Sequence, residues 1–317
     1  MSDNTIATLC GILVHWHDEA RVAALAAAWG EDPRFELLIV DNGSTTELRT
    51  APHRSLRPGR NLGFAGAVNL ALEHTQAPVV LILNPDAQPQ PGALEKILEG
   101  FACHPDIAGL APRLVGPDGR PQHTWQLRPL PTPWQLVLLA LLWPIWSGPA
   151  TEPAAGTPVE QPAAAALALR RQVLTRIGGL DESFFPAWFE DVDLAARLKA
   201  AGEVILYWPE AQFVHELGSS VARLGYDRFL WIHYRNLCLY LRKHHGVAWS
   251  LAARLLLVPA CLTRLILLPI RQPERAQDRR QAASALLTLA VGTASGWKLP
   301  RGYPFPPHSG SAPEGAP

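Results

Sequence analysis

Apolar residues in the first third of the chain recur with two alternating periods, and each switch of period marks a change of element. Residues 9–15 (LCGILVH) and 35–40 (FELLIV) are short apolar runs that predict strands, while residues 19–29 between them repeat with helical spacing. The run VVLIL at 79–83 is apolar at every position, which predicts a strand covered on both faces of a layered sheet. A helix is predicted from the glycines at 63 and 66 to about residue 74, and another opens after Pro91-Gly92. Further along, 164–169 and 204–208 read as strands, and 170–177, 194–201 and 226–241 as helices. Strands alternating with helices predict an α/β chain whose mostly parallel sheet lies between helical layers.

In such sheets ligands gather at the carboxyl ends of the strands, so the residues that end each strand are the first candidates for chemistry. The 79–83 strand ends at Asn84-Pro85-Asp86, where Pro85 removes a ladder N–H and presents Asp86 at the rim. That carboxylate is either a ligand for a cation or hydroxyl, or a turn residue bonded to its own backbone. The 35–40 strand ends at Asp41-Asn42-Gly43-Ser44, with the same two readings for Asp41, and Ser44 with Glu47 has capping-box spacing for a short helix. In the segment from Arg60 to Asn69, Gly63 and Gly66 precede or open a helix, and a helix N-terminus favours anions. Its spacing matches neither a dinucleotide fingerprint nor a P-loop. The first strand ends His15-Trp16-His17; the two histidines are expected to be hydrogen-bonded turn residues rather than a metal pair.

Later in the chain, Phe184 to Phe189 is an aromatic run leading into Glu190-Asp191-Val192-Asp193 at the start of a helix. The helix dipole favours the charged acids there, and partial burial opposes it. Asp193 has Arg197 four residues on, the spacing of an ordinary helix ion pair, and is read as structural. Taken alone, Glu190 and Asp191 need only be helix-initiating acids. His215 closes a strand-like segment and Arg235 lies on a helix, where it can reach a phosphate or simply pack.

Composition narrows the class. With 28 basic and 28 acidic residues, the 317-residue chain has no basic excess, and no nucleic-acid partner is expected. Cys10, Cys103, Cys238 and Cys261 lie far apart without a CxxC spacing, which points to neither a disulfide framework nor a zinc site and fits a reducing compartment. The first residues lack a basic region and a cleavage signal, so no signal peptide is expected and the location is read as cytoplasmic.

Four segments taken in order, LLIVDNGSTTE, RNLGFAGAVNLAL, VVLILNPDAQPQPGAL and GGLDESFFPAWFEDVDLAARLKAAG, resemble family 2 glycosyltransferases of the GT-A fold, especially the rhamnosyltransferase-like branch. The resemblance spans roughly residues 9–235. It implies that Asp41 holds the nucleotide base region and that Arg60, Asn61, Gly63 and Asn69 lie beside the nucleotide. It also implies that Asn84 and Asp86 face the donor, with Asn84 standing where the family commonly has an Asp. Asp86 and His215 are then the ligands of a Mg²⁺ or Mn²⁺ ion, Asp191 the general base, and Glu190 the residue that orients the acceptor. The implied activity is inverting transfer of a sugar, with dTDP-L-rhamnose or a UDP-sugar as donor and a cell-envelope glycan or lipid-linked glycan as acceptor. A non-catalytic glycosyltransferase-like scaffold subunit and a nucleotidyltransferase are the alternatives.

The domain reading is a GT-A body at 1–245 with a Pro/Trp/Ala-rich insertion at about 116–165, a helical segment at 246–298 and a disordered tail at 299–317. Residues 134–146 are apolar but shorter than the ~20 needed to span a bilayer. Residues 247–270 are long enough. Their twelve Leu, Ile and Val contribute about −6 kcal/mol in total and two arginines cost about +3 each, so insertion comes out near zero. Arg254, Arg264 and Arg271 fall within about 100° on a helix, leaving an apolar face opposite. An interfacial helix on anionic lipid is expected, placing the protein on the inner face of the plasma membrane.

Overall fold

The computed structural model describes residues 8–46, 50–141, 147–217, 224–270, 273 and 276–297. Strands β1 (Leu9–His15), β2 (Phe35–Asp41) and β4 (Val79–Leu83) pair in parallel, with β3 (Arg54–Leu56) outside β2. The sheet continues through β10 (Ala166–Arg170), β6 (Gly109–Val115), β11 (Ile205–His215) and β5 (Ala87–Pro89), in the order β3-β2-β1-β4-β10-β6-β11-β5. A short β8 (Pro158–Val159) also pairs with β11. A separate two-stranded ribbon joins β7 (Leu127–Arg128) to β9 (Gln161–Pro162).

Alternation along the strands divides the core. Leu9, Leu13, Leu37, Ile39, Leu81 and Leu83 face one side and meet Val22, Leu25 and Trp29 of α1 (Glu19–Trp29) and Leu94, Ile97 and Phe101 of α3 (Ala93–Cys103). Cys10, Ile12, Leu38, Val40, Val80 and Ile82 face the other. There they meet α2 (Gly63–Glu73), α6 (Arg171–Arg176) and α7 (Glu190–Ala200). Each such Leu or Ile contributes about 1.5–3 kcal/mol when fully buried. Gly11 is required in this packing, because a Cβ there would strike the Trp29 indole.

Two departures from the sequence reading have clear causes. β10 runs antiparallel to both β4 and β6, since an apolar run specifies burial but not direction. β11 continues far beyond residue 208, because a register shift against β6 between Trp208 and Gln212 absorbs Pro209, Glu210 and Ala211. The 116–165 segment is folded where described. It supplies α4 (His123–Gln126), the β7–β9 ribbon and α5 (Pro133–Ala140), whose N-terminus is closed by a reciprocal Thr132–Gln135 capping box. Residues 44–46 are not helical, and the rest of the short helix expected from Ser44 lies outside the described residues, as do residues 142–146 and the 299–317 tail.

A third layer is helical. In it α8 (Tyr226–His244), α9 (Val247–Leu267) and α10 (Arg279–Ala294) bury Leu237, Leu241, Ala253, Leu257, Cys261, Ala285 and Leu289 together, along with residues of α5 and α7. The α9 and α10 helices therefore pack on the body. Arg254 is turned inward, donating from Nη2 to the Thr293 carbonyl at 2.9 Å, while Arg271 lies outside the described residues. The apolar face of α9 is left outward, with Leu255 75% and Ile266 77% exposed.

Candidate active site

Register brings the first group of candidates together. His15 pairs directly with Asp41 at the carboxyl ends of β1 and β2. The Asp41 carboxylate accepts from the Ser44 N–H at 2.9 Å and pairs with Arg57 Nε at 3.2 Å. Asn42 then ties this rim to the glycine segment: its Oδ1 accepts from Leu62 N–H at 2.7 Å, and its Nδ2 donates to the Gly63 carbonyl at 3.1 Å. Asn61 accepts from Gly63 N–H at 2.8 Å. Arg60 is exposed on the approach to α2. His15 differs from the expectation: among the described residues neither ring nitrogen finds a hydrogen-bond partner, and Asp41 Oδ1 lies 3.9 Å from Nε2. As the last residue of a covered strand, its ring is enclosed away from turn partners. Burial lowers its pKa, against the nearby Asp41 charge.

The glycine segment makes its close approach to the chain itself. Gly63 adopts a positive φ of 73°, and a Cβ there would meet Phe185 and the Pro186 carbonyl; Phe64 N–H donates to that carbonyl at 2.7 Å. Asn69, one of the residues expected beside the nucleotide, spends its amide on Leu180 and Glu182 instead.

Asp86 and His215 meet because β5 pairs antiparallel with β11, setting Ala87 opposite His215. Asp86 Oδ1 lies 3.5 Å from His215 Nε2, and both residues are buried, at 7% and 3% exposure. Gln122 determines the tautomer. Its Nε2 donates to the His215 carbonyl at 2.8 Å, so its Oε1, 2.8 Å from Nδ1, must accept the ring proton. Trp125 stacks on the imidazole at 5.1 Å. Burial lowers the His215 pKa, opposed by Asp86, which leaves a neutral Nε2 lone pair facing a carboxylate. Two electron-rich groups in this arrangement fit a divalent cation, with Gln122 as the partner that orients the imidazole. Among the described residues no third His, Cys, Asp or Glu joins them. Asn84 sits half-buried at the same turn, its N–H donating to the Ala165 carbonyl at 2.9 Å.

The acids of α7 are delivered by a contorted aromatic loop. Trp188 and Phe189 both have positive φ, 71° and 74°, in the left-handed region that costs a non-glycine residue about 1–2 kcal/mol. The buried Asn236 of α8 holds this loop by donating to the carbonyls of Phe184, Ala187 and Trp188, each at 2.9 Å. Its neighbour Arg235 donates to the Ser183 and Phe185 carbonyls. Asp193 turns into the molecule, bound by Arg197, Lys243 and His244; burial would raise its pKa, but these bonds hold it at about 2. Glu190 is only 7% exposed, and its Oε2 has no hydrogen-bond partner among the described residues. Burial, with the Asp191 charge beside it, pushes its pKa well above the usual carboxylate range. Asp191 is half-buried, and burial raises its pKa too, opposed by Arg128 and by backbone N–H bonds from Val192 and Ala164. Gln161 Nε2 donates to Asp191 Oδ2 at 3.3 Å.

Sequence reasoning named the acids but not Asn42, Arg57, Gln122, Arg128, Gln161 or Asn236. Asn42 and Asn236 stand beside residues that were named, which was the available signal. The others lack a local pattern.

A mostly parallel βαβ body with acids at its strand ends and a second acidic pair at a helix start is the layout of a glycosyltransferase of the GT-A fold. The solved mannosyltransferase PcManGT from Pyrobaculum calidifontis, in complex with GDP-Man and Mn²⁺, superimposes with a TM-score of 0.55 over 93% of this chain and 89% of its own, at 15% identity. GalNAc-T7 with UDP, GalNAc and Mn²⁺ superimposes with a TM-score of 0.54, covering 76% of this chain and 48% of its own at 11% identity. The sequence profile of glycosyl transferase family 2 matches residues 19–174. The N-acetylglucosaminyl-diphospho-decaprenol L-rhamnosyltransferase of Mycobacterium tuberculosis is 30% identical over 264 residues, covering 75% of this chain and 84% of that protein. The chain belongs to glycosyltransferase family 2 and is a glycosyltransferase.

Proposed function

We propose that the enzyme transfers L-rhamnose from dTDP-L-rhamnose to a hydroxyl of a lipid-linked, diphosphate-bearing glycan of the cell envelope, with inversion. The observation that carries a nucleotide-diphosphate donor is the buried Asp86–His215 pair, whose facing carboxylate and imidazole lone pair fit a divalent cation. A Mg²⁺ or Mn²⁺ ion held there would offset charge on the departing diphosphate. The rhamnosyl and lipid-linked assignments draw on the mycobacterial relative's stated activity. Asp191, held by Gln161, takes the proton of the acceptor hydroxyl as that oxygen attacks the anomeric carbon. Glu190, whose neutral form is favoured by burial, serves as a hydrogen-bonding group toward the acceptor. One displacement inverts the configuration. The test incubates the purified protein with dTDP-L-rhamnose, UDP-sugars or GDP-sugars and an N-acetylglucosaminyl-diphospho-polyprenol. Release of dTDP and an inverted anomeric signal in the product are expected. Turnover with another donor class, or a retained configuration, overturns this reading, and no turnover at all returns the scaffold alternative.

The acceptor chemistry calls for a membrane-bound enzyme. In this reading the exposed Leu255 and Ile266 of α9 and the exposed Trp134 of α5, whose ring contacts Trp249 of α9 at 4.8 Å, lie on the inner face of the plasma membrane. The double variant Leu255→Ser, Ile266→Ser is expected to reduce co-sedimentation with anionic vesicles by at least about tenfold, since each side chain contributes roughly 1.5–3 kcal/mol on burial. Equal vesicle binding by the variant would reject this face.

A further inference from the structure

The β7–β9 ribbon lies within the 116–165 insertion, outside the strands that line the nucleotide side. Its register pairs Arg128 directly with Gln161, and residues directly opposed in an antiparallel pair project from the same face. Both act on one group. Gln161 is fully buried, and its Nε2 reaches Asp191 Oδ2 at 3.3 Å, while its Oε1 has no hydrogen-bond partner among the described residues. Arg128 is the cation whose charge acts on Asp191. Residues that follow the ribbon complete the cradle: Ala164 contributes a backbone N–H to the same carboxylate.

We infer that Arg128 and Gln161 are positioning residues for the Asp191 carboxylate, the first balancing its charge and the second fixing its orientation by hydrogen bond. The inference rests on Asp191 being the base. Without the ribbon the carboxylate would sit half-buried beside Glu190, with nothing opposite in charge to keep it ionised and only backbone N–H groups to aim it. The other titratable groups around it are accounted for. Glu190 adjoins it on α7, and Asp193 is turned into Arg197, Lys243 and His244. Glu160 of the ribbon pairs outward with Lys199 of α7, and His233 of α8 lies against the Phe189 ring.

The pH dependence of kcat/KM separates this role from a purely structural one. Removing a cation from beside a carboxylate raises the carboxylate's pKa, so the acid limb in Arg128→Gln is expected to move to higher pH by about one unit or more. Arg128→Lys should leave the limb near its original place, and Gln161→Leu should move it in the same direction by less. Calorimetric binding of dTDP-L-rhamnose should be unchanged in all three. A limb that stays put in Arg128→Gln and Gln161→Leu, with activity merely scaled down, overturns the inference. Where Arg128→Gln no longer binds donor, Gln161→Leu decides alone. Should Asp191→Asn keep normal turnover, the base assignment itself fails. An inactive Asp191→Asn with an unmoved limb in both ribbon variants rejects the positioning role only.

Discussion

Asp191→Asn is expected to slow sugar transfer by about 10²–10⁴-fold, the range in which a positioned general base contributes, while donor affinity stays within about twofold. The amide keeps the volume of the carboxylate and its single oxygen can still accept from the Val192 N–H, which donates to Oδ1 at 2.8 Å, although the bond from Gln161 to Oδ2 is lost. It cannot take up the acceptor proton. Burial raises the Asp191 pKa, opposed by Arg128 and by backbone N–H bonds, and a raised pKa makes the carboxylate a better proton acceptor. Glu190 makes the informative contrast. Burial and the Asp191 charge push its pKa well above the usual carboxylate range, which favours the neutral, hydrogen-bonding form that a glutamine amide imitates. Single-turnover dTDP release on Asp191→Asn beside Glu190→Gln checks both halves: loss only in the first supports the division of roles. Normal turnover by Asp191→Asn would falsify the base assignment.

The parts of this site readable from the chain are those encoded within a few residues. Asp41, Asp86 and the Glu190–Asp191 pair follow apolar runs or an aromatic run, and a strand or helix that stops at an acid announces itself locally. The partners of these acids come from register. His215 reaches Asp86 only because β5 pairs with β11, and Arg128 lies beside Gln161 only because a ribbon closes across more than thirty intervening residues. Gln122 is one of several glutamines in a segment whose composition signalled nothing beyond an insertion. The antiparallel course of β10 was hidden for a similar reason, since AALALR carries the same apolar signal in either direction. Gly63 shows the opposite limit. A glycine at a helix start leaves room for a neighbour but does not name it, and at Gly63 the neighbour is the aromatic loop at Phe185 and Pro186. The motif thus joins the two halves of the molecule.

Asp86→Asn is expected to abolish metal-dependent donor binding and with it nearly all transfer. The substitution preserves shape and removes one negative charge from a site with only one other candidate ligand among the described residues, His215. A site of so few protein ligands would depend on each of them, since Asp86 and His215 would be the residues that hold an oxygen-seeking cation there. Calorimetric titration of dTDP-L-rhamnose with Mn²⁺ and with EDTA measures the dependence directly. The wild type should bind tightly with Mn²⁺ and weakly with EDTA, and Asp86→Asn weakly in both. Gln122→Leu adds an independent arm. Without the Gln122 amide, His215 Nδ1 loses the acceptor that holds its proton, and the lone pair on Nε2 is no longer fixed toward Asp86. Loss of such an orienting partner typically weakens metal binding 10–100-fold. Its donor affinity should therefore recover as Mn²⁺ is raised, whereas that of Asp86→Asn should not. Equal binding with Mn²⁺ and EDTA in the wild type would remove the cation from this pair, leaving Asp86 and His215 as a buried hydrogen-bonded couple at the donor rim.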